Sequence, residues 1–365
     1  MSIQKLGFIG LGLIGGSIAK STKRVHPNIK MIALSGHQST IDKAFEEGLI
    51  INRENALLKD FSDCDYIFLC TPVQKNQEYL KQLKHIMKPG CILTDVGSVK
   101  GDIHKEIFSM DMDHCFIGGH PMTGSEKTGL DHASPYLLEN AYYIITPTEA
   151  VPKERVEEFC RFVSSLGAIP LTMGYELHDK STAAISHLPH VLAYALVNLV
   201  KDSDNKEEIM KRIAAGGFKD ITRIASSSPV MWEEICISNR DMLLSMIDTY
   251  EMYLKNIRDK ISKGDSQGLR DFFQNAKDYR DSLAVAPKGI QETAYELYCD
   301  LADEAGGIAT ISTILARHEL SIKNIGIIHN REFEEGVLKI EMYTETSYSD
   351  AIKLLRQYNY TVYER

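Results

Sequence analysis

A chain of 365 residues is longer than one ordinary hydrophobic core supports, so two or three domains are expected. A net charge of −9 excludes a surface built for nucleic acid, and an anionic substrate must then be gripped by a local basic group against the overall field. Seven scattered cysteines with no CxxC pair exclude a disulfide framework; the start, MSIQKLGFIG, lacks the pattern of a signal peptide, and together these predict a reducing, cytoplasmic setting.

In chain order, the first half alternates strand and helix signals. KLGFIG reads as a strand, Leu13 to Lys23 as a helix, KMIALS as a strand and Thr40 to Glu47 as a helix. DYIFLC, CILTDV and HCFIGG are further near-continuous apolar strands, with a helix over Asn76 to Met87. AYYIITP and AIPLTM follow, with Lys153 to Ser165 helical between them. Alternation of this kind predicts a parallel sheet covered by helices on both faces.

From Tyr175 to about Tyr279 the spacing is helical, and its apolar stripes need a partner surface, which predicts a homodimer. The most apolar stretch, Ala183 to Val200, carries Ser186, His187, Pro189, His190 and Asn198, so it reads as a buried helix rather than a membrane span. VAPKG (285–289) reads as a linker. The tail then runs YELYCDL, IATISTILARHE, IKNIGIIHN, GVLKIEMYT, YSDAIKLLRQY and YTVYE, a βαββαβ order that is ferredoxin-like.

The first strand opens into Gly10-Leu11-Gly12-Leu13-Ile14-Gly15, a GxGxxG turn at the head of a helix. Gly10 permits the tight turn, Gly12 lets a pyrophosphate approach the backbone, Gly15 lets helix and strand pack closely, and the helix N-terminus faces the anion. This predicts a Rossmann-type dinucleotide-binding domain. At the end of the second strand, where an acid ordinarily holds the ribose, stands Ser35; with no arginine beside it, NAD is expected over NADP. Thr71, Pro72 and Val73 end the third strand and Gly97 and Ser98 the fourth, at the carboxyl edge where such sheets bind ligands.

GGHPMTGSE (118–126) brings His120 to the same edge. A neutral imidazole there accepts a hydroxyl proton while hydride leaves the same carbon, and Ser98 is expected to orient the ring. Gly118 and Gly119 are expected to clear space for the cofactor, and Pro121 to restrict the histidine's backbone. In the helical half, His178, Asp179, His187 and His190 read as the polar lining of a substrate pocket, since no HExxH or cysteine cluster supports a metal. Arg223 is a fork for a carboxylate, and Trp232 is a core or pocket residue.

GLGLIGGS, DVGSVK, GGHPMTGSE, HDKSTAAISHLPH and GGFKDITRIA, in this order, resemble the prephenate dehydrogenase family of tyrosine biosynthesis, over about residues 3 to 285. The tail resembles an ACT domain. The resemblance implies a Rossmann domain (1–173), an all-helical substrate and dimerisation domain (174–288) and a ferredoxin-like ACT domain (289–365). It implies NAD-dependent oxidative decarboxylation of prephenate to 4-hydroxyphenylpyruvate, with arogenate as the alternative substrate and a non-catalytic regulator as the alternative class. Carried over by position, His120 resembles the catalytic histidine, Ser98 the serine beside it and the nicotinamide, and Arg223 the arginine on a substrate carboxylate. His190 resembles the pocket histidine, Glu126 the acid that pairs with that arginine, with Ser125 beside it at the substrate, and Trp232 a pocket wall. Ser35 departs from the acid many members carry. In the tail, Asp303, Gly306, Gly307 and Ile308 before the first helix, and Asn324 on the next strand, are the residues expected to hold an amino-acid effector, L-tyrosine.

Overall fold

The structure is a computed structural model that describes residues 3–71, 73–124, 127–283, 295–301, 306–328 and 336–364. Its contacts group the chain into two units, Met1–Ser262 and Lys263–Arg365.

The first unit begins with β1 (Lys5–Ile9), α1 (Leu13–Val25), β2 (Lys30–Leu34), α2 (Gln38–Glu46), β3 (Tyr66–Leu69), α3 (Val73–Leu83), β4 (Ile92–Asp95), α4 (Gly101–Ser109), β5 (Phe116–Pro121), β6 (Tyr142–Pro147), α5 (Lys153–Ser165) and β7 (Ile169–Thr172). They form one seven-stranded sheet in the order β2-β1-β3-β4-β5-β6-β7. The period-2 rule of a strand sorts its side chains into two cores. Leu6, Phe8, Tyr66, Phe68, Ile92 and Ile117 face α1, α2 and α5, where Phe68 meets Phe159 and Phe162. Ile9, Ile67, Leu69, Leu93 and Phe116 face α3 and α4.

The expectation of a wholly parallel sheet is corrected. β1 to β5 pair in parallel, but β6 runs antiparallel to β5, with Ile117 opposite Pro147 and His120 opposite Ile144. Among the described residues joining β5 to β6 the only helical element is a short 3-10 turn, Leu130–His132, so no crossover helix returns the chain to the strand's starting end.

The rest of this unit is helical: α6 (Tyr175–Thr182), a π-turn over Ala183–His187, α7 (Leu188–Ser203), α8 (Ile209–Ile213), α9 (Gly216–Thr222), α10 (Pro229–Ser238) and α11 (Arg240–Lys263). The run Tyr175–Ser203 is long and apolar enough by composition to cross a membrane, yet it is not the buried helix expected from its sequence: only 17% of its most apolar window is buried. Ile185 is 67% and Leu199 62% exposed. Its polar side chains are engaged within the unit, His178 by Asp179 and His187 by Asn239.

The second unit holds α12 (Ser266–Leu283), β8 (Tyr295–Leu301), α13 (Gly307–Arg317), β9 (Ile322–Ile328), β10 (Gly336–Met342), α14 (Glu345–Gln357) and β11 (Val362–Glu364). The expected βαββαβ order is present, in an antiparallel sheet ordered β11-β8-β10-β9. Leu297, Cys299, Leu338, Ile340 and Met342 pack one face onto Ile311, Leu315, Ile352 and Leu355 of the two helices. The alternate residues carry ion pairs, Lys339 with Glu296 at 2.6 Å and Lys323 with Glu341 at 3.1 Å. The linker expected at 285–289 lies outside the described residues.

Candidate active site

The glycine turn fits a dinucleotide. Gly10 has φ of +94°, and a Cβ there would lie 2.7 Å from the Cys70 carbonyl oxygen. A Cβ on Gly15 would lie 2.6 Å from the Gly10 oxygen. Gly12 caps α1 with open space where a Cβ would stand, with no side-chain cap and no acid in the first helical turn. The uncovered amide groups and the positive end of the helix are therefore available to a pyrophosphate. Leu11 is buried under the turn, and Leu13 and Ile14 begin the helix. Ser35 follows β2; its backbone is bracketed by Asn55, whose Oδ1 accepts from Ser35 N at 2.8 Å and whose Nδ2 donates to Ser35 O at 2.6 Å.

Thr71, Gly97 and Ser98 share a cleft of about 440 Å³ whose far wall is α10, with Ser228, Met231 and Glu234. Asp95 shapes this edge: its Oδ2 accepts from Gly97 N at 2.9 Å and its Oδ1 from Gly119 N at 3.2 Å. The fully buried Lys100 pairs with Asp95 and donates to Gly119 O at 2.8 Å. Pro72 lies outside the described residues, and Val73 begins α3.

The glycines before the histidine have a different task from the one expected. A Cβ on Gly118 would lie 2.3 Å from Thr146 Oγ1, and one on Gly119 2.7 Å from Asp95 O. They let β4, β6 and the Lys100 ammonium close on β5 rather than clear space for the cofactor.

His120 occupies the carboxyl end of β5, one residue beyond Gly119. Burial, with His178, Lys100 and His187 nearby, holds its pKa well below the ordinary 6.5, so the ring is neutral at physiological pH. The expectation that Ser98 orients this ring is corrected: no hydrogen bond joins the two among the described residues. The ring instead meets His178 of α6, whose Nε2 lies 2.8 Å from His120 Nδ1. His178 Nδ1 in turn lies 2.7 Å from Asp179 Oδ1. Asp179 also accepts from Lys100 N at 2.8 Å and Gly101 N at 2.7 Å, tying α6 to the start of α4.

Further along the same helical run, His190 stacks on Trp232 with ring centroids 3.7 Å apart, and His187 meets that indole edge-on at 6.1 Å. His190 Nδ1 donates to Ser186 O at 2.9 Å, which leaves Nε2 as the free acceptor. Trp232 is 8% exposed, and its Nε1 has no partner among the described residues. Burial pushes the His187 pKa down to about 4 and lowers that of His190. Asn239 donates to His187 Nδ1 at 3.1 Å and to Asp179 O at 2.8 Å, linking the two histidine groups.

Arg223 opens a 3-10 turn after α9 and is exposed; that turn packs on α7, where Tyr194 donates to Ser227 O at 2.7 Å. The structure therefore joins His120 with His178, and His190 with Trp232, but puts no described group on Arg223. Ser125 and Glu126, the latter expected beside that arginine, lie outside the described residues. In the second unit, Gly306 has φ of +96° and precedes α13, which Gly307 and Ile308 begin. Asn324 is exposed on β9, its Oδ1 accepting from Ile325 N at 2.9 Å, and Asp303 lies outside the described residues. The sequence marks His178 and Asp179 only as pocket polarity; the His-Asp dipeptide is visible there, but nothing local indicates that it meets His120.

Comparison with known proteins bears on this geometry. Residues 18–170 match the family profile described as prephenate dehydrogenase, nucleotide-binding domain, and residues 175–275 that described as prephenate dehydrogenase, dimerization domain. The chain is 38% identical to prephenate dehydrogenase of Bacillus subtilis over 92% of its own length and 91% of that protein's. It resembles the crystal structure of Aquifex aeolicus prephenate dehydrogenase in complex with hydroxyphenyl propionate and NAD+, with a TM-score of 0.72 and 32% identity over 78% of this chain and 99% of that one. Synechocystis arogenate dehydrogenase gives a TM-score of 0.70 and 31% identity over 77% of this chain and 100% of that one. With a nucleotide-binding sheet, a histidine at its edge and a helical dimerisation region, the chain belongs to the prephenate dehydrogenase family of NAD-dependent oxidoreductases.

Proposed function

We propose that the chain converts prephenate to 4-hydroxyphenylpyruvate with His120 as the proton acceptor. The observation that carries this reading is a neutral, partly buried imidazole at the carboxyl edge of a dinucleotide-binding sheet, with one ring nitrogen engaged and the other without a partner among the described residues. NAD, when bound, supplies the hydride acceptor; Gly10 to Gly15 would hold its pyrophosphate, Ser35 its ribose, and Thr71, Gly97 and Ser98 would border its nicotinamide. The carbinol proton of the substrate passes to His120 Nε2 while the carbinol C–H leaves as hydride. The bond to the ring carboxylate then breaks, carbon dioxide departs, and its electron pair completes an aromatic ring bearing a phenolate oxygen. That oxygen recovers the proton from His120. Aromatisation supplies the driving force, so the protein contributes positioning and the uptake and return of one proton. Arg223 would grip a substrate carboxylate, with Ser125 and Glu126 near it, and His190 and Trp232 would line the pocket.

The dimerisation profile and the exposed apolar side chains of the helical region support a homodimer. We assign the three regions as 1–173, 174–288 and 289–365, the last as an ACT-type domain that binds L-tyrosine at Gly306, Gly307, Ile308, Asn324 and Asp303. The βαββαβ order and the left-handed Gly306 support that reading.

Initial rates with prephenate or arogenate and NAD test the reaction. We expect turnover of prephenate, a fall in kcat of about 10²–10⁴-fold in His120→Ala with NAD binding retained, and mainly a higher KM in Arg223→Gln. Preference for arogenate in direct competition would reassign the substrate, and no NAD reduction with either would make the chain a regulator. Calorimetry with L-tyrosine should show binding to the full chain that is lost on truncation after Pro287; equal binding to both would remove the tail as the sensor.

A further inference from the structure

His120 is one end of a three-residue chain of hydrogen bonds that closes on a carboxylate. His178 is fully buried and Asp179 is 5% exposed, so neither exchanges its partner for bulk water. Asp179 is held by two backbone amides of α4, and Thr182 Oγ1 donates to His178 O at 3.1 Å, which braces the helical turn that carries the pair. The direction of the bonds follows from chemistry. A carboxylate only accepts, so His178 donates from Nδ1. A neutral His178 then accepts at Nε2, so His120 donates from Nδ1. The remaining lone pair of His120 is therefore at Nε2, the nitrogen that no described residue engages.

We propose that His178, oriented by Asp179, is a positioning residue that holds His120 in the tautomer with its basic lone pair at Nε2, the nitrogen that takes the substrate's proton. This rests on the reading of His120 as the proton acceptor. In the step, the substrate O–H bond breaks and the Nε2–H bond forms, while the Nδ1–H stays donated to His178. The proton returns from Nε2 to the phenolate oxygen, so the pair ends the cycle as it began. Among the described residues, the titratable and charged groups facing His120 are His178, with Asp179 behind it on α6, Lys100 with its partner Asp95, and His187 on the π-turn. A purely structural role for the pair, tying α6 to α4, would change stability and leave the chemistry alone.

Full-length chains carrying His178→Gln, His178→Leu and Asp179→Asn, assayed with prephenate and NAD, separate these roles. The Gln Oε1 can stand where Nε2 stood and accept from His120, so kcat should stay within about tenfold of the unsubstituted chain. Leucine offers no acceptor: kcat should fall about 10²–10⁴-fold, with NAD binding kept. In Asp179→Asn the amide can donate to His178 and reverse the chain, placing a proton on His120 Nε2, and kcat should fall comparably. Nitrogen-15 spectra of the unsubstituted protein should place the His120 proton on Nδ1. A proton on Nε2 overturns the proposal even if the leucine variant does not fold. Full kcat in His178→Leu, alongside an inactive His120→Ala, overturns the positioning role alone. Full kcat in His120→Ala overturns the acceptor reading beneath it.

Discussion

Phe8, Phe68 and Phe159 in the sheet half of the first unit are at most 1% exposed, whereas Ile185, Leu199 and Ile237 in its helical half are 62–69% exposed. Both halves are comparably apolar to the eye, yet they use those residues differently. A sheet presents two faces, and five helices of this chain cover them. The helical half presents stripes on separate rods, and much of their apolar area meets nothing in the single chain. A large exposed apolar surface marks an interface, which agrees with the dimerisation profile over 175–275. The contact of His120 with His178 joins the two halves, His120 coming from the sheet half and His178 from the helical one.

The contrast can be broken first in the sheet half. Lys100→Met leaves Asp95 as a buried charge without its cation and should cost about 3–5 kcal/mol of stability, read as a lower denaturant midpoint; an unchanged midpoint would mean that the pair does not organise the strand ends. In the helical half, Leu199→Glu should cost little in folding but weaken self-association by at least about tenfold, or about 1.4 kcal/mol, as seen by sedimentation. A dimer of undiminished affinity would remove this face from the interface. The smallest effect is shared. Burial pushes the pKa of His104 in the sheet half and of His187 in the helical half down to about 4. A histidine with a depressed folded-state pKa favours folding fully above its unfolded value near 6.5. That contribution is lost as pH falls toward about 4, so the unfolding midpoint should drop between pH 6.5 and 4. Its independence of pH across this window would show both rings to be solvated.

Much of the fold is legible in the residues alone. Alternating apolar runs and helical spacing place the strands and helices to within a few residues, and the glycine turn of Gly10, Gly12 and Gly15 lies where its spacing requires. The helix expected over Asn76 to Met87 instead runs Val73–Leu83. The Ala183 to Val200 segment is a helix as expected, but it is exposed, because amphipathicity records that a face will be covered and not by what. The tasks of Gly118 and Gly119 are not legible in their own neighbourhood, since close approach by Thr146 and Asp95 belongs to neighbouring strands.

By itself the sequence determined what depends on near neighbours: the period of each element, the turn that requires glycine, the position of His120 at a strand end, and the family its motifs share. Only the tertiary structure decided what depends on distant pairings. The reversal of β6 against β5 depends on how the chain returns to the sheet edge, which strand periodicity does not encode. The contact of His120 with His178 spans 58 residues and requires α6 to dock on α4 through Asp179. Side-chain type advertises a donor or an acceptor, but the partner that sets a tautomer is chosen by packing, and packing is a property of the whole unit.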